Sequence, residues 1–347
     1  MRGSGRWASS RNMPDFDVAT LARYLRPRLP DADEALQVEG ISGGQSNPTY
    51  WLKFSTATYV LRKQPPGPLL PSAHAVDREY RILTALTATE VPVPQPYLFC
   101  DDATVIGTPF YVMAALTGRV FADSALPGLT PADRAAIYDS MNATLARIHT
   151  VDWQALGLSD YGKAGNYFAR QIARWTKQWR NSQTRAIPEI DSLVEWLPRH
   201  LPDDDVTTIA HGDYRLGNLI YHPTKPHVIG VVDWELSTLG HPLADLAYNC
   251  LLYHAAEHGG ILGLDREALG IPSEAEYVAR YCDRTGRASG LTPFHLAFAL
   301  FRFAVILEGV AARAAHGNAA ADNAREVGAL SAVYAQRAWA IAQGTLL

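Results

Sequence analysis

Three groups of residues in one stretch can do chemistry together. His211-Gly212-Asp213 is followed five residues later by Asn218, and an apolar run over residues 228–232 then delivers Asp233-Trp234-Glu235. An Asp and an Asn on one loop, with a second Asp after the next strand, suit phosphoryl transfer to a hydroxyl. One carboxylate orients the acceptor hydroxyl, and the other oxygens hold Mg²⁺ on the nucleotide phosphates. That chemistry is mostly positioning and charge stabilisation, so few residues carry it. Asp213 takes the acceptor-side role, Asn218 and Asp233 are metal ligands, and Glu235 is a direct ligand or a support for one. Arg215, two residues past Asp213, can reach the γ-phosphate. The same segment admits a metal-dependent hydrolase built on His211 and Asp213 with His222, His227 and His241, and Asp233 can be read as a plain strand-end residue. The order of the whole set, with Asp245 after it, favours phosphoryl transfer.

Elements upstream must position these groups. Residues 36–41 and 51–54 read as strands joined by a Gly-rich turn, Ser42-Gly43-Gly44-Gln45-Ser46-Asn47. Glycine lets backbone approach a phosphate, and Ser46 and Asn47 offer donors to it; a plain hairpin turn has the same layout. Residues 59–63 form the next strand, whose alternation sends Arg62 and Lys63 to opposite faces. Kinases place a cation here that pairs with phosphates and with a helix Glu; either residue can supply it. A helix over residues 73–86 buries Val76, Tyr80 and Leu83 and carries Glu79 as the partner. Strands follow at residues 97–100 and Phe110–Ala114.

Beyond these the chain turns helical. Thr130-Pro131 is an N-cap with Pro at the first helical position. That helix runs to about His149, a helix-end residue with no assigned role, and buries Ile137, Met141, Leu145 and Ile148. Over residues 167–180, Phe168, Ile172, Trp175 and Trp179 form an apolar stripe, and Arg170, Arg174 and Lys177 form a basic line. This line is a solvated face or one wall of a site for an anionic acceptor. Residues 239–242 read as a turn before the helix of Asp245. Residues 296–310 are apolar but include Arg302 and Glu308. Burying a charge is costly without a partner, so Arg302 binds a carboxylate or faces a pocket. A last helix spans about residues 320–343.

Composition narrows the classes. With 347 residues and 48% hydrophobic content, about two lobes with full cores are expected. A net charge of −4 argues against nucleic-acid binding. Three dispersed cysteines, Cys100, Cys250 and Cys282, suggest neither a disulfide framework nor a zinc site and fit a cytoplasmic protein. No apolar run reaches the roughly 18 residues of a membrane span. Residues 1–12 lack a secretory apolar region and read as a disordered tail, with Met13 an alternative start.

HGDYRLGN followed by DWE resembles the loop and metal element of the aminoglycoside phosphotransferase and choline kinase family. Together with GGQSNPTY, YVLRKQPPG, LLPSAHAVDREY, ARQIARWTKQW and DWELSTLGHPLADL, it is similar to the phosphotransferase-like domain found alone in bacteria or fused to acyl-CoA dehydrogenases in animals. This similarity spans most of residues 36–310. The resemblance implies an α+β, protein-kinase-like two-lobed fold. A small antiparallel β-rich N-lobe covers residues 13–115, and a larger, mostly helical C-lobe covers residues 116–347. It further implies ATP and Mg²⁺, Arg62 as the phosphate cation, and a hinge where the Ala114 carbonyl and the Leu116 N–H bond adenine. His211 and Asp245 become structural residues, Asp245 bonding the catalytic-loop backbone. The acceptor is then a small-molecule hydroxyl, a hydroxyacyl-CoA by the acyl-CoA dehydrogenase link, with Arg174, Lys177 and Arg302 as its contacts. A polycationic aminoglycoside would be repelled by the basic line. Two departures are Arg62 where antibiotic kinases carry Lys and Gly212 where protein kinases carry Arg. A nucleotide-binding pseudokinase module and an antibiotic or amino-alcohol kinase remain as other readings.

Overall fold

The chain divides into two units, one reaching from the N-terminus to Gly118 and resuming for Ile229–Glu235, the other made of Arg119–Val228 and Leu236–Leu347. The computed structural model describes residues 14–41, 47–67, 74–257, 259–315 and 324–345. The expected tail, Ser46 with the rest of the Gly-rich turn, and the starts of the helices expected at Ala73 and Ala320 lie outside the described residues. A contiguous two-lobe division over 13–115 and 116–347 therefore misses one feature: the segment holding Asp233 and Glu235 returns to the first unit.

The first unit is built on α1 (Val18–Leu25), β1 (Gln37–Gly40), β2 (Thr49–Lys53), β3 (Thr58–Lys63), α2 (Val76–Leu86), β4 (Pro96–Cys100), α3 (Ala103–Ile106) and β5 (Phe110–Ala114). Its five strands form one antiparallel sheet in the order β1-β2-β3-β5-β4. Asp17 caps α1 through the Ala19 N–H, and Leu21 and Leu25 are its buried positions. They join Leu52, Leu61, Phe110 and Val112 in one core. Strand period two then puts Leu61 on the core side of β3 and Arg62 on the other. Helix α2 packs against β4 and β5 and buries Val76, Glu79, Ile82, Leu83 and Leu86. The expected stripe through Tyr80 is thus rotated: Glu79 takes the buried place, and Tyr80 is half-buried beside Phe99 and Tyr111.

The second unit contains α4 (Pro131–Thr150), α5 (Tyr167–Ser182), α6 (Pro188–Trp196), β6 (Thr208–Ala210), β7 (Leu219–Tyr221), the first residue of β8 (Val228–Val231), β9 (Thr238–Gly240), α7 (Pro242–Asn249), α8 (Arg266–Leu269), α9 (Glu274–Thr285), α10 (Pro293–Ala315) and α11 (Ala324–Ala342). Thr130 caps α4 as expected. The turn expected at 239–242 is a correction: Thr238–Gly240 is a strand, pairing antiparallel with β6 from Thr208↔Gly240 to Ala210↔Thr238. Strand β6 leads into the catalytic loop and needs this ladder partner for its backbone groups. Helix α10 corrects a second expectation. By length and composition it could cross a membrane, yet 78% of its most apolar window is buried within the protein, which marks a core helix. It packs on α11, α5 and α7. Its buried Glu308 accepts from the Thr184 backbone at 2.9 Å and faces Arg185 at 3.1 Å, so that charge is paired.

Candidate active site

In the first unit Arg62 gathers three carboxylates. Its Nε lies 2.9 Å from Glu79, and its Nη2 lies 2.7 Å from Asp233 and 3.3 Å from Glu235. Tyr111 donates to the same Glu79 oxygen, Oε2, at 3.1 Å. Burial pushes the Glu79 carboxyl up to about 7; Arg62 opposes this, and the charges of Asp233 and Glu235 add to it. Burial also works against the charge on Arg62, but Glu79, then Tyr111, Asp233 and Glu235, hold it above the ordinary arginine range. Asp233 adopts φ 67°, a left-handed conformation that Asp tolerates better than most residues. Behind it the buried Trp234 donates its indole N–H to the Val231 carbonyl at 3.0 Å and anchors the turn.

Lys63 takes the opposite face, as alternation requires. It is buried, with Nζ 2.6 Å from Asp15 and over the Phe16 ring. It is neither a solvated edge charge nor a partner of Glu79. Asn47 departs from its expected role as a phosphate donor. Its amide donates to Glu79 at 2.7 Å, and its oxygen meets His74 at 2.9 Å, because a buried carboxylate draws the nearest donor. Ala114 ends β5 with its N–H on the Gln95 carbonyl, and Leu116 is half-buried in the extended segment that follows.

In the second unit the catalytic loop leaves β6 and is held by its backbone. Asp245, on the first turn of α7, is fully buried and accepts the N–H groups of His211 at 2.5 Å and Gly212 at 2.9 Å. Burial opposes its ionisation, yet the hydrogen bond and charge of His149, with His211 and the Gly212 N–H, keep its carboxyl below the usual range. His149 lies 3.4 Å from Asp245 through Nε2 and 2.6 Å from the Tyr281 hydroxyl through Nδ1. Sequence reasoning gave His149 no role; its place one turn beyond Leu145 on the buried face of α4 was the available signal.

Gly212 has φ 84°, and a Cβ there would lie 2.7 Å from the Leu236 carbonyl oxygen, so the loop requires glycine. Arg302 corrects the expectation of a carboxylate or substrate partner. Its buried guanidinium donates to the Gly212 carbonyl and lies over the rings of Tyr248 at 4.9 Å and Trp175 at 5.4 Å. A carbonyl and two aromatic faces stabilise this buried cation in place of an anion. Asp213 is thereby presented half-buried, with Oδ2 accepting from Asn218 Nδ2 at 2.8 Å and from Arg215 Nε at 3.2 Å. The same Asn218 nitrogen bonds the Asp213 backbone carbonyl at 2.9 Å, which leaves Oδ1 as the oxygen offered to a cation. His211 Nδ1 accepts the Asp213 N–H at 3.2 Å.

The basic line is also corrected. Arg170 bonds the Lys163 carbonyl, Arg174 is exposed over Trp175, and exposed Lys177 lines a groove of about 510 Å³ with Ile172, Val194 and Leu201. Helical spacing turns these residues to solvent and toward α6, whereas the loop is met by Arg302 from α10. For the hydrolase alternative, the described residues hold no cluster of three His, Cys, Asp or Glu side chains able to take a metal. The rings of His222 and His227 lie 5.0 Å apart, whereas His241 caps α7. Mg²⁺ does not need such a cluster, since it usually keeps waters and takes one or two carboxylates.

Comparison with known proteins gives the family. The model of a phosphotransferase enzyme family, APH, matches residues 37–291. Acyl-CoA dehydrogenase family member 10 of Mus musculus is 47% identical over 329 residues, covering 92% of this chain and 30% of that protein. Family member 11 of Homo sapiens is 43% identical over 317 residues, covering 89% of this chain and 41% of that protein. The chain thus spans less than half the length of these curated relatives. A crystal structure from Ralstonia eutropha, provisionally assigned as an aminoglycoside phosphotransferase, shares 48% identity and a TM-score of 0.87 over 95% of this chain and 99% of its own. Aminoglycoside phosphotransferase APH(4)-Ia in complex with AMP-PNP and hygromycin B, at 13% identity and a TM-score of 0.63 over 94% of this chain and all of its own, shares the fold. With its five-stranded antiparallel sheet and helical second unit in that kinase-like fold, the chain belongs to the phosphotransferase enzyme family.

Proposed function

We propose that this phosphotransferase moves the γ-phosphate of ATP, with Mg²⁺, to a hydroxyl of a hydroxyacyl-CoA. The observation that carries the phosphoryl-transfer reading is the held Asp213: a loop fixed through two backbone N–H groups by Asp245, with Asn218 on the Asp213 carboxylate at 2.8 Å. Asp213 orients the acceptor hydroxyl and takes its proton as the oxygen bonds to the γ-phosphorus and the bond to ADP breaks. Arg62 neutralises phosphate charge, and Arg215, exposed beside Asp213, is the second cation available to the γ-phosphate. The donor set fits Mg²⁺: three carboxylates face the one guanidinium of Arg62, an acidic excess that a divalent cation balances. Asp233 and Glu235 would hold the ion within the first unit, and its charge would polarise the phosphates. The intact Asp213, Asn218 and Asp233 speak against a pseudokinase module.

Two observations support the acceptor. The relatives matched by this chain are named as acyl-CoA dehydrogenase family members. Exposed Arg174 and Lys177 add positive charge that disfavours a polycationic antibiotic. ATP-dependent phosphorylation of 3- and 4-hydroxyacyl-CoAs, assayed beside kanamycin and choline with products read by mass, tests the proposal. Turnover of the acyl-CoAs alone is expected. Turnover of kanamycin or choline with none of the acyl-CoAs would overturn it.

A further inference from the structure

A pocket of about 130 Å³ opens in the second unit beside the catalytic loop. One of its lining residues bonds Asp213 and a second feels its charge. Arg215 donates to Asp213 Oδ2 at 3.2 Å. Tyr248 feels the same carboxylate: its phenol is pushed up by burial and then by the Asp213 charge. The remaining wall is apolar and aromatic, with Leu251, Leu252, Phe303 and Tyr334. The Phe303 and Tyr334 rings meet edge to face at 4.8 Å, and Tyr248 stands 6.5 Å from Phe303. Polar groups at the lining are already engaged: Glu257 by Arg337 at 3.2 Å, and Asn249 by the Tyr277 hydroxyl at 2.6 Å.

One wall is anchored. Ser124 donates its N–H to the Gly259 carbonyl at 2.8 Å, and a Cβ on Gly259 would lie 2.7 Å from the Ala122 carbonyl oxygen. The pocket is thus a largely apolar recess whose edge on the catalytic-loop side is Arg215, the residue bonded to Asp213.

We infer that this recess receives the apolar end of the acceptor, next to the hydroxyl addressed by Asp213, and that Phe303 and Leu252 set the size it admits. The assignment rests on reading Asp213 as the acceptor-side group. A cavity of about 150 Å³ lined by apolar side chains takes a benzene-sized guest, so a group of roughly six carbons fits here. Each methylene buried strengthens binding by roughly four-fold.

Straight-chain alcohols probe the recess without requiring turnover. Saturation-transfer NMR on the full chain, with butan-1-ol, hexan-1-ol and octan-1-ol, is expected to show affinity rising by roughly four-fold per methylene to hexan-1-ol and then levelling off. Leu252→Trp fills the recess and should weaken hexan-1-ol at least ten-fold. Phe303→Ala enlarges it and should strengthen octan-1-ol over wild type, a gain that a misfolded variant cannot produce. The assignment is overturned if hexan-1-ol fails to bind the wild type, or if wild type and both variants bind the series alike. If the alcohols bind as expected while no acceptor is phosphorylated, the phosphotransfer reading of this chain fails and the recess stands.

Discussion

At the scale of residues, the informative group is Arg62, one cation shared by three carboxylates, with Lys63 turned away to Asp15. Arg62→Ala should lower phosphoryl transfer at least ~100-fold, because it removes charge stabilisation where phosphate negative charge develops. Lys63→Ala should cost stability and leave kcat/KM within a few-fold; equal losses in steady-state kinetics would break the assignment. Glu79 makes a second prediction. Its carboxyl is pushed up to about 7 from an ordinary 4.5. Between these values the folded protein keeps a proton that the unfolded chain has lost, so stability falls as pH rises through that window. Thermal melts of the metal-free protein should show wild type losing ground to Glu79→Gln from pH 4.5 to about 7 and holding level above it. A difference independent of pH would contradict the buried, proton-linked carboxyl.

At the scale of elements, period and capping were legible and partner choice was not. The alternation of β3 separated Arg62 from Lys63, Thr130-Pro131 marked the start of α4, and the HGD-to-DWE spacing placed the catalytic loop and the next strand. The partners of Asn47, His149 and Arg302 come from segments distant in sequence, and a local pattern carries no record of them. Arg302 illustrates this. A cation in an apolar helix must find compensation, but only the packing of α10 against α5 and α7 shows that a loop carbonyl and two rings supply it. The arrangement makes α10 the element that steadies Gly212, and through it Asp213. Arg302→Ala should lower kcat by roughly 10- to 100-fold with the KM for nucleotide nearly unchanged, since a small misplacement of a reacting group is costly. Arg302→Lys should restore part of the loss, because lysine can donate to the carbonyl but cannot stack a planar guanidinium on the rings. A change confined to the nucleotide KM would show that Arg302 acts elsewhere.

At the scale of the whole molecule, the two aspartates that define the motif belong to different units. Asp213 sits in the helical unit, and Asp233 in the segment Ile229–Glu235 that the sheet unit reclaims. A contiguous division of the chain hides this, because sequence order runs from one aspartate to the other through only two short strands, β7 and β8. The partition assigns each carboxylate its own company: Asp233 is bonded to Arg62 at 2.7 Å, and Asp213 to Asn218 at 2.8 Å. Substituting each should therefore damage a different step. Asp213→Asn should abolish transfer while MgATP affinity stays within a few-fold, because the acceptor hydroxyl loses its proton acceptor and the phosphates lose nothing. Asp233→Asn should weaken nucleotide binding at least ten-fold in the presence of Mg²⁺ and hardly at all without it, since Mg²⁺ favours hard anionic oxygen ligands. Calorimetric titration of ATP with and without Mg²⁺, run on both variants beside a turnover assay, reads the two effects separately. If the Asp233 variant kept its Mg²⁺ dependence, or the Asp213 variant kept its turnover, the division of labour between the units would be wrong.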